Sequence, residues 1–401
     1  MRSQSDFPRV AIACGGTGGH LFPGVAVARQ LRQRDCAVTL LISPKEIDQQ
    51  AVRTAGDLEF AVLPAVGLTR GRPAQFAQGF AASLRQSWSR FRLATPDAVL
   101  AMGGFTSAPP VIAGRMFGAA TFLHESNTIP GKANRWLSWL IDQAFVGFPE
   151  AADRLHTRRV RMTGTPVRPE FQTTDPTVNP DARGSRASAR LALGLDPDRP
   201  TLLVTGGSQG ARGLNDLVVA LLPRLAQLVP RLQLFHLTGA NNAEKITATC
   251  AAHQVKAVVR PFFGEMHLAL GAADAVISRA GASSLAEIAA MRVPSLLVPY
   301  PAATDNHQFY NARAFEMAGA ARLVEASQAD PAKVAASLAE LLGATPAAAT
   351  MRGALAQWHF PRAAAVIADH LLAVVAARRG NRQGAASLPP RPLTNHQTAI
   401  L

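Results

Sequence analysis

VAIACGGTGGH, residues 10–20, and LLVTGGSQGA, residues 202–211, decide the fold. Each is an apolar run ending in Gly-Gly, followed by small polar residues and then a helical pattern. Two strand–turn–helix units of one design, one opening each half of the chain, predict two Rossmann-like α/β domains with parallel sheets. Further apolar runs at Ala37–Ile42, Ala98–Met102, Ala119–Leu123 and Ala144–Gly147 fill out the first half. Leu232–Leu237, Ala257–Arg260, Asp274–Ser278 and Ser295–Pro299 do so in the second. Between the halves lies Thr173–Ala189, rich in Pro, Asp and Ser, which reads as a surface loop or linker. The segment from Arg378 to Leu401 is basic and without periodicity, and is expected to be disordered.

A chain of 401 residues that is 48% hydrophobic can bury two cores. Cys14, Cys36 and Cys250 are widely spaced, with neither a disulfide framework nor metal-ligand spacing, so a reducing compartment is expected. No run approaches the roughly 20 apolar residues that span a bilayer. The N-terminal stretch leads straight into the glycine turn and does not read as a signal peptide. The net charge of +14 favours anionic partners. Without a nucleic-acid-binding motif, lipid headgroups and phosphorylated ligands are the partners expected, and nucleic acid is not.

Four turns carry candidate chemistry. Gly15–His20 follows a strand, and its third glycine falls out of step with a dinucleotide fingerprint, since Leu21 stands there. It is either a tight connection or an anion site at a helix N-terminus, with His20 at its mouth able to take a proton. In Gly206–Ala211, Ser208 serves either as a helix cap or as an anion contact. Ser278–Glu287 places small residues before a helix. They leave room for a diphosphate, with Glu287 set for ribose hydroxyls, or else form a capping box. Val298–Gln308 delivers Asp305, Asn306, His307 and Gln308 together, suiting sugar hydroxyls or capping the helix His307–Met317.

These blocks, with MGGFTSAPP (102–110), HESNTIPGKANR (124–135), GTPVR (164–168) and FFGEM (262–266), resemble the MurG family in content and order from about Val10 to Ala376. The resemblance implies a GT-B fold, two Rossmann-like domains facing across a cleft. Residues 1–168 would form the acceptor and membrane domain, 169–198 a linker and 199–360 the UDP-sugar domain. Residues 361–377 would be a helix returning to the first domain, and 378–401 a disordered tail. The implied reaction is inverting transfer of N-acetylglucosamine from UDP-N-acetylglucosamine to the muramoyl 4-hydroxyl of lipid I, giving lipid II in peptidoglycan synthesis. The expected site is peripheral, on the cytoplasmic face of the bacterial inner membrane. By the same resemblance Phe263 offers its backbone to uracil. Ala282, Ser283 and Ser284 face the diphosphate and Glu287 holds the ribose, with Arg279, Leu285 and Ala286 also in the substrate site. Gln308 contacts the sugar with Asp305 nearby. Thr17, Gly18, Gly19, Asn127, Arg168 and Ser208 complete the site. Departures from relatives are HESN for the common HEQN, His307 where some carry a second Gln, and a loop Pro301–Thr304 one residue longer than in some.

His20 is the first choice for the base that takes the acceptor proton, and Glu125 the second. With no Asp-x-Asp carboxylate pair, helix N-termini and Arg168 are expected to stabilise the leaving diphosphate without a metal, and no cofactor is expected. On a helix over Gln75–Leu93, Phe76, Phe80, Leu84, Trp88 and Phe91 share an arc of about 120°, with Arg85 and Arg92 beyond one edge. Such a helix either packs on the sheet or lies in an anionic phospholipid surface. Competing readings are a transferase with a diacylglycerol acceptor, a UDP-sugar 2-epimerase, and a non-catalytic nucleotide- or phospholipid-binding module.

Overall fold

The computed structural model describes residues 7–46, 48, 56–67, 72–171, 182–207, 212–239 and 242–386. The first domain contains strands β1 (Arg9–Ala13), β2 (Ala37–Ile42), β3 (Glu59–Val62), β4 (Ala98–Ala101), β5 (Ala120–Glu125), β6 (Gln143–Val146) and β7 (Val160–Met162). They form one parallel sheet in the order β3-β2-β1-β4-β5-β6-β7. Its helices are α1 (Gly18–Arg32), α2 (Pro73–Leu93), α3 (Ala108–Met116) and α4 (Lys132–Leu137).

The second domain repeats the plan. Strands β8 (Thr201–Thr205), β9 (Gln233–Leu237), β10 (Lys256–Arg260), β11 (Ala275–Ser278), β12 (Ser295–Leu297) and β13 (Arg322–Leu323) pair in parallel in the order β10-β9-β8-β11-β12-β13. Around them lie α5 (Ala182–Ala192), α6 (Arg212–Leu228), α7 (Ala243–Ala252), α8 (Met266–Ala272), α9 (Ala282–Met291), α10 (His307–Met317), α11 (Pro331–Leu342) and α12 (Pro346–Ala356). A last helix, α13 (Ala363–Ala386), ends the described chain.

Strand order reverses between β1 and β4 in one sheet and between β8 and β11 in the other. Ligands of open α/β sheets bind beyond the carboxyl ends of strands at such a reversal. The turns there are Gly15–His20 and Gly103–Gly104 in the first domain, and Gly206–Gly207 and Arg279–Gly281 in the second.

The central strands are buried along their whole length, so they read as continuous apolar runs. Each face of the first sheet has its own core, one built on Ile12, Leu40, Leu100 and Phe122, the other on Leu41, Leu63, Val99 and Leu123. Ile367, Ala368, Leu371 and Val375 of α13 complete the former, so the C-terminal helix packs on the first domain beside α1.

Two sequence expectations need correction. α13 does not stop at 377 but runs to Ala386. Arg378 pairs with Asp142 at 2.8 Å, and Arg379 reaches both carboxylate oxygens of Asp97 at 3.0 and 2.7 Å. Two charge-assisted anchors and an alanine-rich sequence carry the helix through the basic stretch. Residues 387–401 lie outside the described part. The second correction concerns the linker, which is helical over Ala182–Ala192. This α5 packs on α8, with Arg190 buried and bonded to Asp274 at 2.7 Å and to the Ala272 carbonyl at 2.9 Å.

Candidate active site

The first-domain turn is built around a buried carboxylate. Asp48 Oδ2 accepts hydrogen bonds from Gly16 N at 2.8 Å, Ser43 N at 2.9 Å and Ser43 Oγ at 2.6 Å. Lys45 Nζ donates to the Gly16 carbonyl at 3.0 Å. With the turn held at both sides, the helix starts at Gly18, three residues before its first large apolar side chain, Leu21. Thr17 is the N-cap but makes no side-chain cap. Its Oγ1 instead shares a hydrogen bond of 3.1 Å with His20 Nδ1. With the proton on Nδ1, Nε2 is left as the proton acceptor. The imidazole lies against Gly103 and Gly104, whose φ angles of +107° and +80° suit glycine, and a Cβ on Gly103 would stand 2.9 Å from Nε2. Burial pushes the His20 pKa down to about 4 against an upward pull from Asp48; His307 and Lys45 add to the lowering. The ring is therefore neutral at pH 7.

Glu125 ends β5 fully engaged. Oε1 accepts from Asn127 N at 2.8 Å and Asn127 Nδ2 at 3.0 Å, and Oε2 from Gly131 N at 3.1 Å and Asn134 Nδ2 at 2.7 Å. Burial raises its pKa, against these hydrogen bonds. Four donors on two oxygens describe a brace that shapes the loop 126–134, and Glu125 has little capacity left to receive an acceptor proton. The neighbouring His124 is likewise structural, with Nε2 against the Gly164 carbonyl at 3.1 Å.

Across the cleft, α9 begins at Ala282 after Gly281, which supplies no side-chain cap. The capping-box alternative therefore does not describe this helix, and the first amides, from Ala282 to Ser284, point to the site that a helix N-terminus offers an anion. Leu285 is different. Its side chain is buried in the second core and its amide bonds the Gly281 carbonyl at 3.0 Å, so neither faces a ligand. Ala286 lies one residue further into the helix. Arg279, also expected at the ligand, donates from Nη1 to the carbonyls of Val298 and Pro299, both at 2.9 Å, and so braces the Pro299–Pro301 loop. Glu287 sits where burial lifts its carboxyl to about 7, with the Arg168 charge opposing that lift.

Arg168 comes from the first-domain side. Its guanidinium lies over the rings of Phe22, at 4.5 Å, and Phe171, at 5.2 Å, which hold a cation at the cleft. Phe263 follows β10 and stands edge-on to Phe235 at 5.2 Å. Gln308 Oε1 accepts from Tyr300 N at 2.9 Å. Asp305, at φ +51°, pairs with Arg135 of α4 at 2.7 Å rather than capping α10. Ser208 lies outside the described residues. Among the described residues no three His, Cys, Asp or Glu side chains gather as a metal site requires.

α1 and α9 themselves pack against each other, so the two uncapped glycine-rich helix starts belong to one cleft. Residues 10–146 match the glycosyltransferase family 28 N-terminal domain and residues 201–367 its C-terminal domain. A relative from Desulforudis audaxviator, named UDP-N-acetylglucosamine--N-acetylmuramyl-(pentapeptide) pyrophosphoryl-undecaprenol N-acetylglucosamine transferase, is 38% identical over 373 residues, covering 90% of this chain and 97% of its own. A relative of the same name from Chlorobaculum parvum is 37% identical over 91% of this chain and 99% of its own. The crystal structure of Acinetobacter baumannii MurG superposes with a TM-score of 0.68 at 26% identity, covering 91% of this chain and 99% of that one. The chain belongs to the MurG family. Its architecture is the GT-B arrangement expected of that family.

Sequence reasoning passed over one residue in this MurG-family cleft. Asn311 of α10 is fully buried, and Oδ1 accepts from Thr128 N and Thr128 Oγ1, both at 2.9 Å. Its Nδ2 donates to Asn127 Oδ1 at 3.0 Å and to the Ala280 carbonyl at 3.1 Å. The available signal was a lone amide at a helical position whose neighbours Ala312 and Phe315 are core. A buried Asn needs partners, and three of its four hydrogen bonds reach the other domain.

The proposed lipid-facing stripe is also rearranged. Phe91 is buried in the first-domain core, with Leu84 packed against that core. The side of α2 turned inward is lined by Gly79, Ser83 and Ser87, small residues that let the helix lie close to its neighbours. Phe76 and Phe80 are half-buried against one another. Trp88 remains 39% exposed on the ring of Phe117, beside a surface where Met116, Trp136 and Trp139 are 65%, 54% and 67% exposed. Arg115 joins the two parts through a 2.8 Å bond to the Leu140 carbonyl.

Proposed function

We propose that the chain transfers N-acetylglucosamine from UDP-N-acetylglucosamine to the muramoyl 4-hydroxyl of lipid I, releasing UDP and forming lipid II with inversion at the anomeric carbon. The observation that carries this reading is the opposition, in one cleft, of a neutral histidine at the start of α1 and an uncapped helix start at Ala282. Relatives named for this reaction match the sequence over nine-tenths of the chain.

In this reading His20 Nε2 takes the proton of the acceptor hydroxyl as its oxygen bonds the anomeric carbon. The bond from that carbon to the UDP oxygen breaks, and the electrons leave on the diphosphate. Amides of Ala282–Ser284, oriented at the positive end of α9, and the Arg168 guanidinium meet the growing charge. Glu287 receives the ribose hydroxyls and the backbone at Phe263 the uracil. Gln308 and Asn127 address the sugar, and Thr17, Gly18 and Gly19 border it from α1. Glu125, Arg279 and the Asp48 carboxylate position the loops. A low histidine pKa weakens the base but guarantees that it is unprotonated when the acceptor arrives.

The acceptor is lipid-linked, so the cleft works at a membrane surface. No single helix among the described residues is long and apolar enough to cross one. The exposed tryptophans and Met116, with Arg115 and Arg92 near them, suit a peripheral seat on anionic phospholipid at the cytoplasmic face of the inner membrane.

The test is incubation of purified protein with labelled UDP-N-acetylglucosamine and a lipid I analogue. A β-linked disaccharide product supports the reading. Transfer to diacylglycerol, or conversion of the donor to its 2-epimer without an acceptor, replaces it with a competing one.

A further inference from the structure

Polar side-chain contacts join the two domains at the cleft through short segments, 127–135 on the acceptor side and 305–311 on the donor side. Two kinds of contact join them. The Arg135–Asp305 pair is short at 2.7 Å but its side chains are 40% and 35% exposed, and exposed ion pairs hold little. The Asn311 amide, in contrast, is buried with all four hydrogen bonds between 2.9 and 3.1 Å. Three of these cross to the first domain and the fourth ends on Ala280, two residues before the α9 amides.

We infer that Asn311 is a positioning residue for transfer: one buried amide locks the acceptor-side turn Asn127–Thr128 to the donor-side turn at Ala280, and thereby sets the distance from His20 to the anomeric carbon. This rests on the transfer reaction proposed above. The chain of bonds is continuous. Glu125 grips Asn127 through Oε1, Asn127 Oδ1 accepts from Asn311, and Asn311 grips Ala280. A neutral amide suits the task because it donates and accepts at once, whereas an Asp would present only acceptors to the Ala280 carbonyl and Asn127 Oδ1. Thr128 adds a hydroxyl and an amide to the same oxygen, so rotation of Asn311 would leave two buried donors unsatisfied.

The role is separable from binding of UDP itself, because none of the four partners is a group of α9 and Asn127 addresses only the transferred sugar. In Asn311→Leu, which keeps the branched shape and heavy-atom count and removes all four bonds, kcat for transfer to the lipid I analogue should fall at least about thirtyfold while the UDP dissociation constant moves less than about threefold. Thr128→Val alters the contact from the other domain by one hydroxyl. It should lower kcat about three- to tenfold with UDP affinity unchanged, whether or not Asn311→Leu folds. The double variant should be no slower than Asn311→Leu alone, as coupling through one oxygen requires. Three outcomes overturn the proposal: unchanged kcat in Thr128→Val, additive losses in the double variant, or equal falls in kcat and UDP affinity. Wild-type protein in the same assay separates the two claims, since failure of the wild type to transfer removes the reaction and not the clamp.

Discussion

Gly103→Ala puts a single methyl group against the proposed base. The backbone at Gly103 has φ +107°, and the added Cβ would lie 2.9 Å from His20 Nε2, 3.0 Å from Cδ2 and 3.2 Å from Asn134 Nδ2. Comfortable contacts are roughly 3.5–4.0 Å. The imidazole must therefore retreat by about half an ångström to an ångström, or the turn must shift. A misplacement of about 1 Å in a catalytic group costs on the order of a hundredfold in rate. Holding a non-glycine residue at such a φ costs about 1–3 kcal/mol of stability besides. The control is Gly194→Ala, at φ +77° with nothing within 4 Å of its Cβ, which carries the strain without the collision. Both variants should lose a few degrees in Tm, roughly 2–4 °C for each kcal/mol in a domain of this size. Only Gly103→Ala should lose about a hundredfold in kcat with UDP binding intact, measured by steady-state transfer and calorimetric titration. A folded Gly103→Ala protein turning over at the wild-type rate would refute the placement of His20 in the chemistry.

Other outcomes follow from the same geometry. His20→Ala should cut turnover by about 10²–10⁴-fold and shift UDP affinity little; near-normal turnover excludes it as base. Glu287 has its pKa raised from 4.5 to about 7 in the folded chain, so the stability it contributes is present below pH 4.5 and lost as the pH rises through 7. Tm should accordingly fall across that window less steeply in Glu287→Gln than in wild type, and parallel curves would contradict the assignment. Replacing Trp88 and Trp139 together with Ser should release the protein from anionic vesicles while a water-soluble acceptor analogue is still glycosylated. Retention of vesicle binding would move the membrane face elsewhere.

The central strands were legible because parallel strands covered on both faces carry unbroken apolar runs; Ala37–Ile42 matches residue for residue. The edge strands β3, β7 and β13 escaped notice. Glu59–Val62 and Val160–Met162 are half-exposed and carry charges, and Arg322–Leu323 is two residues long. The start of α1 at Gly18 leaves no sequence signal, since glycine propensity argues against a helix there and the bonds that hold the Gly15–Gly16 turn override propensity. The glycine turns and their order identified the cleft. What they could not reveal was which polar groups spend themselves on protein. Glu125, Arg279 and Asp305 all look like ligand contacts in the sequence, and in the fold they are bonded to Asn127 and Asn134, to the Val298 and Pro299 carbonyls, and to Arg135. Asn311 is the converse, unremarkable in its motif and important only because two domains meet at it. Long-range pairings of this kind, 183 residues apart for Thr128 and Asn311, leave no local pattern.

The central claim is that the second domain grips the donor diphosphate by the free amides of α9, facing His20 across the cleft. A crystal structure with UDP bound tests it most directly. Diphosphate oxygens should lie within hydrogen-bond reach of the Ala282–Ser284 amides, with the ribose against Glu287. Density for UDP at the Gly15–Gly19 turn of the first domain, with α9 empty, would contradict it.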